Sequence, residues 1–219
     1  LRIVDFDFGS NRGLDVLSMV LFSRNIHELE IGDSLCKKLP DYQSHMFPDP
    51  AGLTRLELYY TYIEEDPIGT LEKLPNLRIL ELGSYSFLGR EMICHSMGFP
   101  QLKHLGLNSL GNLKQWKVDE GAMPKLSGLR IDYCKNLEMI PDGLRCLTTL
   151  KEVSLVKMPE EFNNRIRRVN GQQGEDYDKI SHVPSVQIRI CRYSFSSCTF
   201  SSNFSLLIFN LRFLEFPFS

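Results

Sequence analysis

Leucines recur along this chain in a short pattern, L-x-x-L-x-L, whose last two apolar positions alternate with polar ones. The clearest copies begin at Leu53, Leu77, Leu102, Leu126 and Leu150. Their starts are separated by 24, 25, 24 and 24 residues, and a fixed period of this length is typical of stacked repeats. Weaker copies begin at Leu1, Ile26 and Val183. The pattern predicts a repeat array over residues 1–188 with about eight irregular units of 24–33 residues, starting near 1, 26, 53, 77, 102, 126, 150 and 183.

Each unit is too short to bury its own leucines. Alternating side chains of a strand point to opposite faces, so the apolar positions point into a shared core and the residues between them point outward. Stacking of such units builds one continuous core. A proline stands two residues before three of the leading leucines, at Pro75, Pro100 and Pro124. We therefore predict an α/β-type leucine-rich repeat solenoid, a horseshoe with short parallel strands on its concave face and irregular loops, 3-10 turns and short helices on its convex face.

Two parts of the chain depart from the regular period. Gaps of 27 residues before Leu53 and 33 before Val183 predict insertions in outer loops, and the basic stretch 165–168 is predicted to be exposed there. Residues 189–219 hold seven of the 14 phenylalanines and seven serines, without repeat register. We interpret this tail as a translated non-coding stretch or gene-model artefact, disordered or forming an apolar cap.

Composition narrows the classes of function. The 219 residues are 42% hydrophobic and carry a formal net charge of -2, so no bulk charge favours nucleic acid or an anionic membrane. No apolar run of about 18 residues and no signal peptide is visible, so we predict a cytoplasmic protein without a membrane span. The cysteines form no C-x-x-C pair, which predicts reduced thiols and no metal or other cofactor; they are Cys36, Cys94, Cys134, Cys146, Cys191 and Cys198.

Single residues within the units are predicted to be structural. Cys134 falls eight residues after Leu126, where leucine-rich repeats place a side chain that bonds the turning backbone from inside. Trp116 is predicted to anchor the core. The positions equivalent to Cys134 are Thr61, Tyr85, Leu110 and Met158. No H-E-x-x-H and no G-x-S-x-G is present, so we predict that the chain is not an enzyme.

Residues 113–162 carry the motifs that resemble a known family. They are a Trp-x-Val, a Glu-Gly-Ala-Met-Pro, a Cys-x-x-Leu, a Pro-x-Gly-Leu and a Met-Pro-x-x-Phe, found at 116–118, 120–124, 134–137, 141–144 and 158–162. Together with "GEDYDKISHVPSVQI" at 174–188, they resemble the closing leucine-rich repeats of plant intracellular immune receptors, the coiled-coil, nucleotide-binding, leucine-rich-repeat disease resistance proteins. The phosphate-binding motif G-x-x-x-x-G-K-[ST] is absent, so we expect a fragment that lacks the nucleotide-binding domain and its ATP.

Polar and aromatic residues stand between the leucines at positions predicted to form the concave surface. Repeat arrays use such surfaces for extended binding, and tyrosine and arginine are favoured interface anchors. The candidate binding residues are Arg55, Glu57, Tyr59, Tyr60, Ile79, Glu81, His104, Asn108, Arg130, Asp132, Tyr133, Glu152 and Ser154. The resemblance implies protein partners: the nucleotide-binding domain of the same receptor at rest, and a pathogen effector or a modified host protein on activation.

Two other functions fit a leucine-rich repeat array. One is a generic intracellular adaptor or the substrate-recognition scaffold of a ubiquitin ligase; the irregular spacing and the closing motifs favour the immune receptor over it. The other is a secreted or receptor-kinase ectodomain. It fits less well because L-x-G-x-I-P signatures and flanking disulfide pairs are missing, and the one glycosylation sequon, at Asn203, lies in the tail.

Overall fold

The computed structural model describes residues 1–41, 51–169 and 171–190. Nearly all of the Phe/Ser-rich tail, with Cys191, Cys198 and Asn203, lies outside them. In chain order the strands are β1 (Arg2–Val4), β2 (Glu28–Gly32), β3 (Arg55–Tyr59), β4 (Ile79–Leu82), β5 (Glu91–Cys94), β6 (His104–Asn108), β7 (Gln115–Val118), β8 (Gly128–Asp132), β9 (Glu152–Val156), β10 (Arg168–Val169), β11 (Gln172–Gln173) and β12 (Ser185–Arg189). The α-helices are α1 (Asn11–Leu21), α2 (Ile68–Leu71), α3 (Glu160–Ile166) and α4 (Tyr177–Ile180), and a 3-10 helix covers Asp142–Cys146.

The main sheet has eight strands in the order β1-β2-β3-β4-β6-β8-β9-β12, and every pairing in it is parallel. Each of the eight sequence units contains one of these strands. The prediction of an α/β repeat fold with short parallel strands is therefore confirmed, while the horseshoe curvature stays a prediction. From β2 to β12 the last apolar position of L-x-x-L-x-L forms one column across the sheet, through Ile31, Leu58, Leu82, Leu107, Ile131, Leu155 and Ile188. On β1 the column continues through Ile3. The position predicted for the first unit, Phe6, follows that strand and is 38% exposed, so the register predicted for this unit is wrong.

This column and its neighbour bury most of their side chains in a single hydrophobic core. The neighbouring column runs through Leu29, Leu56, Leu80, Leu105, Leu129, Val153 and Val186. Leu80 and Leu107 are completely buried. Burial of one such side chain contributes about 1.5–3 kcal/mol relative to exposure, so the stack depends on the repeated leucines. The alternation leaves the other side of the sheet to polar residues.

The opposite side of the core includes a two-stranded parallel sheet of β5 and β7, in which Met92 pairs with Trp116. This second sheet departs from the predicted loops and short helices. It forms because two adjacent units carry a short alternating segment at the same place, with Met92 and Cys94 facing the core from β5 and Trp116 and Val118 from β7. Trp116 is 3% exposed, which confirms it as a core anchor.

The insertion at 163–180 contains the end of α3, the hairpin β10–β11 and α4. A buried carboxylate, Asp176, holds it together. It accepts two hydrogen bonds from the Arg165 guanidinium, at 2.9 and 3.1 Å, and lies 2.9 Å from the Lys179 ammonium. The Lys179 ammonium also donates to the Ile140 carbonyl at 2.8 Å. The prediction that 165–168 is exposed is therefore wrong at Arg165, whose side chain turns toward Asp176 and is 29% exposed, and at Ile166, which is buried in the core.

Cys134 is buried, and its thiol contacts the carbonyl oxygens of Leu107 and Asp132 at 3.6 Å each, as the slot prediction requires. Burial raises its pKa to about 12, so the thiol is unreactive. The same slot holds Thr61, whose hydroxyl donates to the Ser86 carbonyl at 3.0 Å. Tyr85 was wrongly assigned to this slot: it is 57% exposed, and the following residue, Ser86, is buried. The inward position thus falls one residue later than in the Thr61 unit, although the two units keep the same register on both sides of the turn, at Leu58–Leu82 and Ile63–Phe87.

Candidate protein-binding face

The predicted binding residues come together on the polar side of the main sheet. Eleven of the thirteen lie on β3, β4, β6, β8 and β9, and Tyr60 and Tyr133 directly follow β3 and β8. We call these thirteen residues the sheet face. The central row on this side crosses the whole sheet and includes four residues that the sequence prediction omitted: Gly106 and, from the weaker units, Arg2, Glu30 and Gln187. In order the row is Arg2, Glu30, Glu57, Glu81, Gly106, Arg130, Ser154 and Gln187.

Two ion pairs on the sheet face form within single strands. On β3 the Arg55 guanidinium donates to the Glu57 carboxylate at 2.7 Å, and on β8 Arg130 lies 2.8 Å from Asp132. Residues two apart on a strand point to the same face, so this spacing creates the pairs. Partly exposed pairs of this kind contribute less than about 1 kcal/mol. Their main effect is to place equal positive and negative charge on the surface, where charged groups of a partner can form ion pairs with them.

A third ionic group joins β1, β2 and β3. The Tyr59 hydroxyl donates to the Glu30 carboxylate at 2.6 Å, and the Arg2 guanidinium donates to the Tyr59 hydroxyl at 3.1 Å and lies 3.4 Å from Glu30. Burial, and then the hydrogen bond to Glu30, raise the pKa of Tyr59 above its usual value. The tyrosine ring covers Gly32, where an added Cβ would meet ring carbons at 2.0 and 2.2 Å. A glycine on β2 is thus required for the ring to reach Glu30.

Glu81 is half-buried, and among the described residues it has no ion-pair or hydrogen-bond partner. Its carboxylate lies over Gly106 of the next strand, where an added Cβ would meet a carboxylate oxygen at 1.7 Å. Burial, and then the charge of Glu57, raise its pKa to about 7, although the charges of Arg55 and Arg130 act in the opposite direction. Near neutral pH this carboxyl group is therefore only partly ionised, and it has no ion-pair partner in the middle of the sheet face.

Three tyrosines line the edge of the sheet face where β3 and β4 end; we call Tyr60, Tyr62 and Tyr85 the tyrosine ridge. Tyr85 stacks on Tyr60 at 5.8 Å and on Tyr62 at 6.1 Å between ring centroids. All three have left-handed backbone, with φ of 51°, 55° and 52°, which is unusual for bulky residues. Tyr62 and Tyr85 were missing from the predicted site. The sequence feature that could have identified them is the spacing of 25 residues between Tyr60 and Tyr85, which is the length of one repeat unit.

The remaining predicted residues differ in exposure. Asp132 and Ser154 are 8% and 7% exposed, so they shape the sheet face more than they offer contact area. Partial burial lowers the pKa of His104, which is therefore neutral at pH 7. Near Tyr133 an open cleft of about 530 Å³ follows the strand ends, lined by Asn108, Ser109, Asp132, Tyr133, Lys157, Met158 and Ile190.

Two absences apply to the described part of the chain only. Its His, Cys, Asp and Glu side chains form no group of three or more arranged to hold a metal ion. Within 1–41, 51–169 and 171–190 no helix has the length and apolar character needed to cross a membrane.

The chain is similar to plant proteins named for disease resistance, whereas no protein-family model matches it. It is 45% identical over 149 residues to Probable disease resistance RPP8-like protein 2 of Arabidopsis thaliana, covering 66% of this chain and 16% of that protein. It is 39% identical over 179 residues to Disease resistance protein RPP8 of the same plant, covering 81% and 19%. Against Disease resistance RPP8-like protein 3 the identity is 36% over 178 residues, covering 81% and 18%.

The chain thus spans less than a fifth of the length of each of these curated relatives. The similarity nevertheless extends over most of the chain itself, well beyond the closing repeats on which the resemblance was based. It confirms that resemblance: the chain is homologous to a segment of plant disease resistance proteins of the RPP8-like group.

Proposed function

We propose that this chain is the protein-recognition part of an intracellular plant immune receptor, which restrains the receptor at rest and senses pathogen effectors or modified host proteins. The observation that carries the proposal is the sheet face itself. One regular surface presents balanced ion pairs, a carboxyl group without an ion-pair partner and exposed tyrosines, a combination suited to protein contact. The names of the homologues support a role in plant defence, and they favour the receptor over a generic adaptor or a ubiquitin-ligase scaffold.

The proposed mechanism is competition for the sheet face. At rest a nucleotide-binding domain of the receptor covers the face. It forms ion pairs with Arg130 and Glu152 and packs against exposed tyrosines such as Tyr133. An effector or modified host protein with a better match displaces it. Charge complementarity sets orientation and association rate, and the buried aromatic contacts supply most of the affinity. The chain acts in the cytoplasm and catalyses no reaction in this proposal.

Charge reversal on the sheet face tests this function. Arg130→Glu and Glu152→Lys are expected to weaken co-precipitation with a nucleotide-binding domain of a resistance protein supplied in trans, each by about tenfold, because each places like charges opposite the partner. Matched controls lie on the other side of the core, where Lys117 on β7 and Glu91 on β5 are 56% and 57% exposed and 3.9 Å apart. Lys117→Glu and Glu91→Lys should leave binding unchanged. Equal losses in both pairs, or none in either, would count against this face.

A further inference from the structure

The tyrosine ridge presents exposed aromatic surface beside the sheet face. Tyr85 is 57% exposed and Tyr62 is 38% exposed. Stacking on one another holds the three rings of the ridge together, so a partner would find them already ordered. Rigid tyrosines of this kind provide large contact area at small loss of conformational entropy. The ridge is therefore a docking surface whose contact area is prepared before binding.

Negative charge borders the ridge. The Asp33 amide bonds the Tyr59 carbonyl at 3.3 Å and the Ser34 amide bonds the Tyr60 carbonyl at 3.1 Å, which places the exposed Asp33 directly beside Tyr60. On the other side Glu81 precedes Tyr85 by four residues. No arginine or lysine of the described chain pairs with Glu81. The surface thus combines open tyrosine rings with the carboxylates of Asp33 and Glu81, and Glu81 has no ion-pair partner among the described residues.

One arginine of this chain already contacts a tyrosine and a carboxylate at the same time. The Arg2 guanidinium donates to the Tyr59 hydroxyl and pairs with Glu30, one strand away from the ridge. Arginine suits both parts of this arrangement, because its planar guanidinium stacks on aromatic rings and pairs with carboxylates. Lysine offers a compact charge but no planar surface. At the ridge, Tyr60 lies beside the carboxylate-bearing Asp33 on the neighbouring strand end, and within the described ranges no arginine joins the two.

We propose that the tyrosine ridge, with Asp33 and Glu81, binds an extended arginine-bearing segment of a protein partner. One arginine side chain stacks on the rings of the ridge while its guanidinium pairs with Asp33, and a second arginine of the segment pairs with Glu81. The segment runs across neighbouring repeats, whose strands are about 4.8 Å apart. The carboxylates would repel a phosphate backbone, so the partner is protein. This inference rests on the proposed function and adds to it the chemistry of the partner.

Peptides of four Gly-Arg-Ser repeats test the inference by NMR titration of the full 219-residue chain. Amide shifts are expected at Tyr60, Tyr62 and Tyr85. Tyr85→Ala and Glu81→Gln should each weaken binding by about threefold to tenfold, as expected for one cation–π contact or one charge-assisted bond. Met97→Ala is the control, since Met97 also has left-handed backbone, with φ of 64°, and is 83% exposed away from the sheet face. It should leave binding unchanged.

The same titration with Gly-Lys-Ser and Gly-Pro-Ser repeats identifies the chemistry. Binding of the lysine peptide should be several times weaker, and the proline peptide should not bind. Equal affinity for the arginine and lysine peptides would show that charge alone explains binding, and it would overturn the inference. Preference for the proline peptide, or no binding of any peptide, would also overturn it. If the Tyr85 and Glu81 variants do not weaken peptide binding while the Arg130 and Glu152 reversals weaken binding of the nucleotide-binding domain, this inference fails and the proposed function stands. If only the Arg130 and Glu152 reversals lack effect on the nucleotide-binding domain, the proposed function of the central face fails instead.

Discussion

Replacing Asp176 by asparagine is expected to lower the free energy of unfolding by about 3 kcal/mol, the range found when one partner of a buried ion pair is removed. Asp176 is 1% exposed and Lys179 is 4% exposed, so the variant leaves a buried ammonium whose remaining counter-charge is Asp142, 3.0 Å away and 77% exposed. It also loses the fork of hydrogen bonds from Arg165. Chemical denaturation followed by circular dichroism measures the loss.

Glu175→Gln is the matched control for this experiment. Glu175 also contacts Arg165, at 2.5 Å, but its side chain is 77% exposed, so the variant should change stability by less than about 0.5 kcal/mol. Similar losses in both variants would show that the buried position of Asp176 has no special role.

The pH dependence gives an independent test of Asp176. Burial alone would raise its pKa, but the hydrogen bonds from Arg165 and Lys179 outweigh burial and lower the pKa below its usual value of 3.8. The group therefore stabilises the fold fully above about pH 4, and this contribution is lost as the pH falls below that value. Asp176→Asn should remove this part of the acid sensitivity.

Replacing Glu81 by glutamine is expected to stabilise the protein at pH 8, on the order of 2 kcal/mol. The raised pKa of about 7, against a usual value of 4.5, means that the fold holds the proton more tightly than the unfolded chain does. Wild-type stability should therefore fall as the pH rises from about 4.5 to 7, and stay level above. The variant cannot ionise at this position and should lack that fall. Denaturation midpoints at pH 4.5 and pH 8 measure the difference.

Glu64→Gln provides the comparison, because Glu64 is an exposed carboxylate outside the sheet face. It should leave the pH profile of the wild type unchanged. If Glu81→Gln destabilises the protein at pH 8, the carboxylate has a structural role that its surroundings do not show. If it stabilises the protein but weakens binding of the arginine peptide, the chain retains an unfavourable charge for the sake of its partner.

The sequence was sufficient to predict the main sheet because its signal repeats. Each of the two apolar columns is specified once per unit, so an error in one unit is corrected by its neighbours. Structural features that occur in only one or two units lack that redundancy. The one-residue shift that exposes Tyr85 and buries Ser86 occurs once, and the β5–β7 sheet involves only two units. Periodicity could reveal neither.

The sequence predicted which residues face outward, but it did not predict which of their charges have a partner. Alternation along the strands placed Glu57, Glu81 and Arg130 on one face, as the structure has them. Whether each charge has a partner depends on contacts across strands and on side chains such as Tyr59 that lean over a glycine. The buried carboxylate of Asp176 depends on Arg165 and on Ile140, 36 residues away in the chain, a contact that no local pattern encodes.

Hydroxyl-radical footprinting of this protein, alone and with a nucleotide-binding domain of a resistance protein, tests most directly whether the sheet face is the protein-binding surface. The proposal predicts reduced oxidation at Tyr60, Tyr85 and Tyr133 in the complex. It predicts no change at Met97 and Met139, which are 83% and 42% exposed away from the sheet face. Protection of the two methionines with unchanged tyrosines would contradict the proposal, because the partner would then bind the opposite side of the repeat stack.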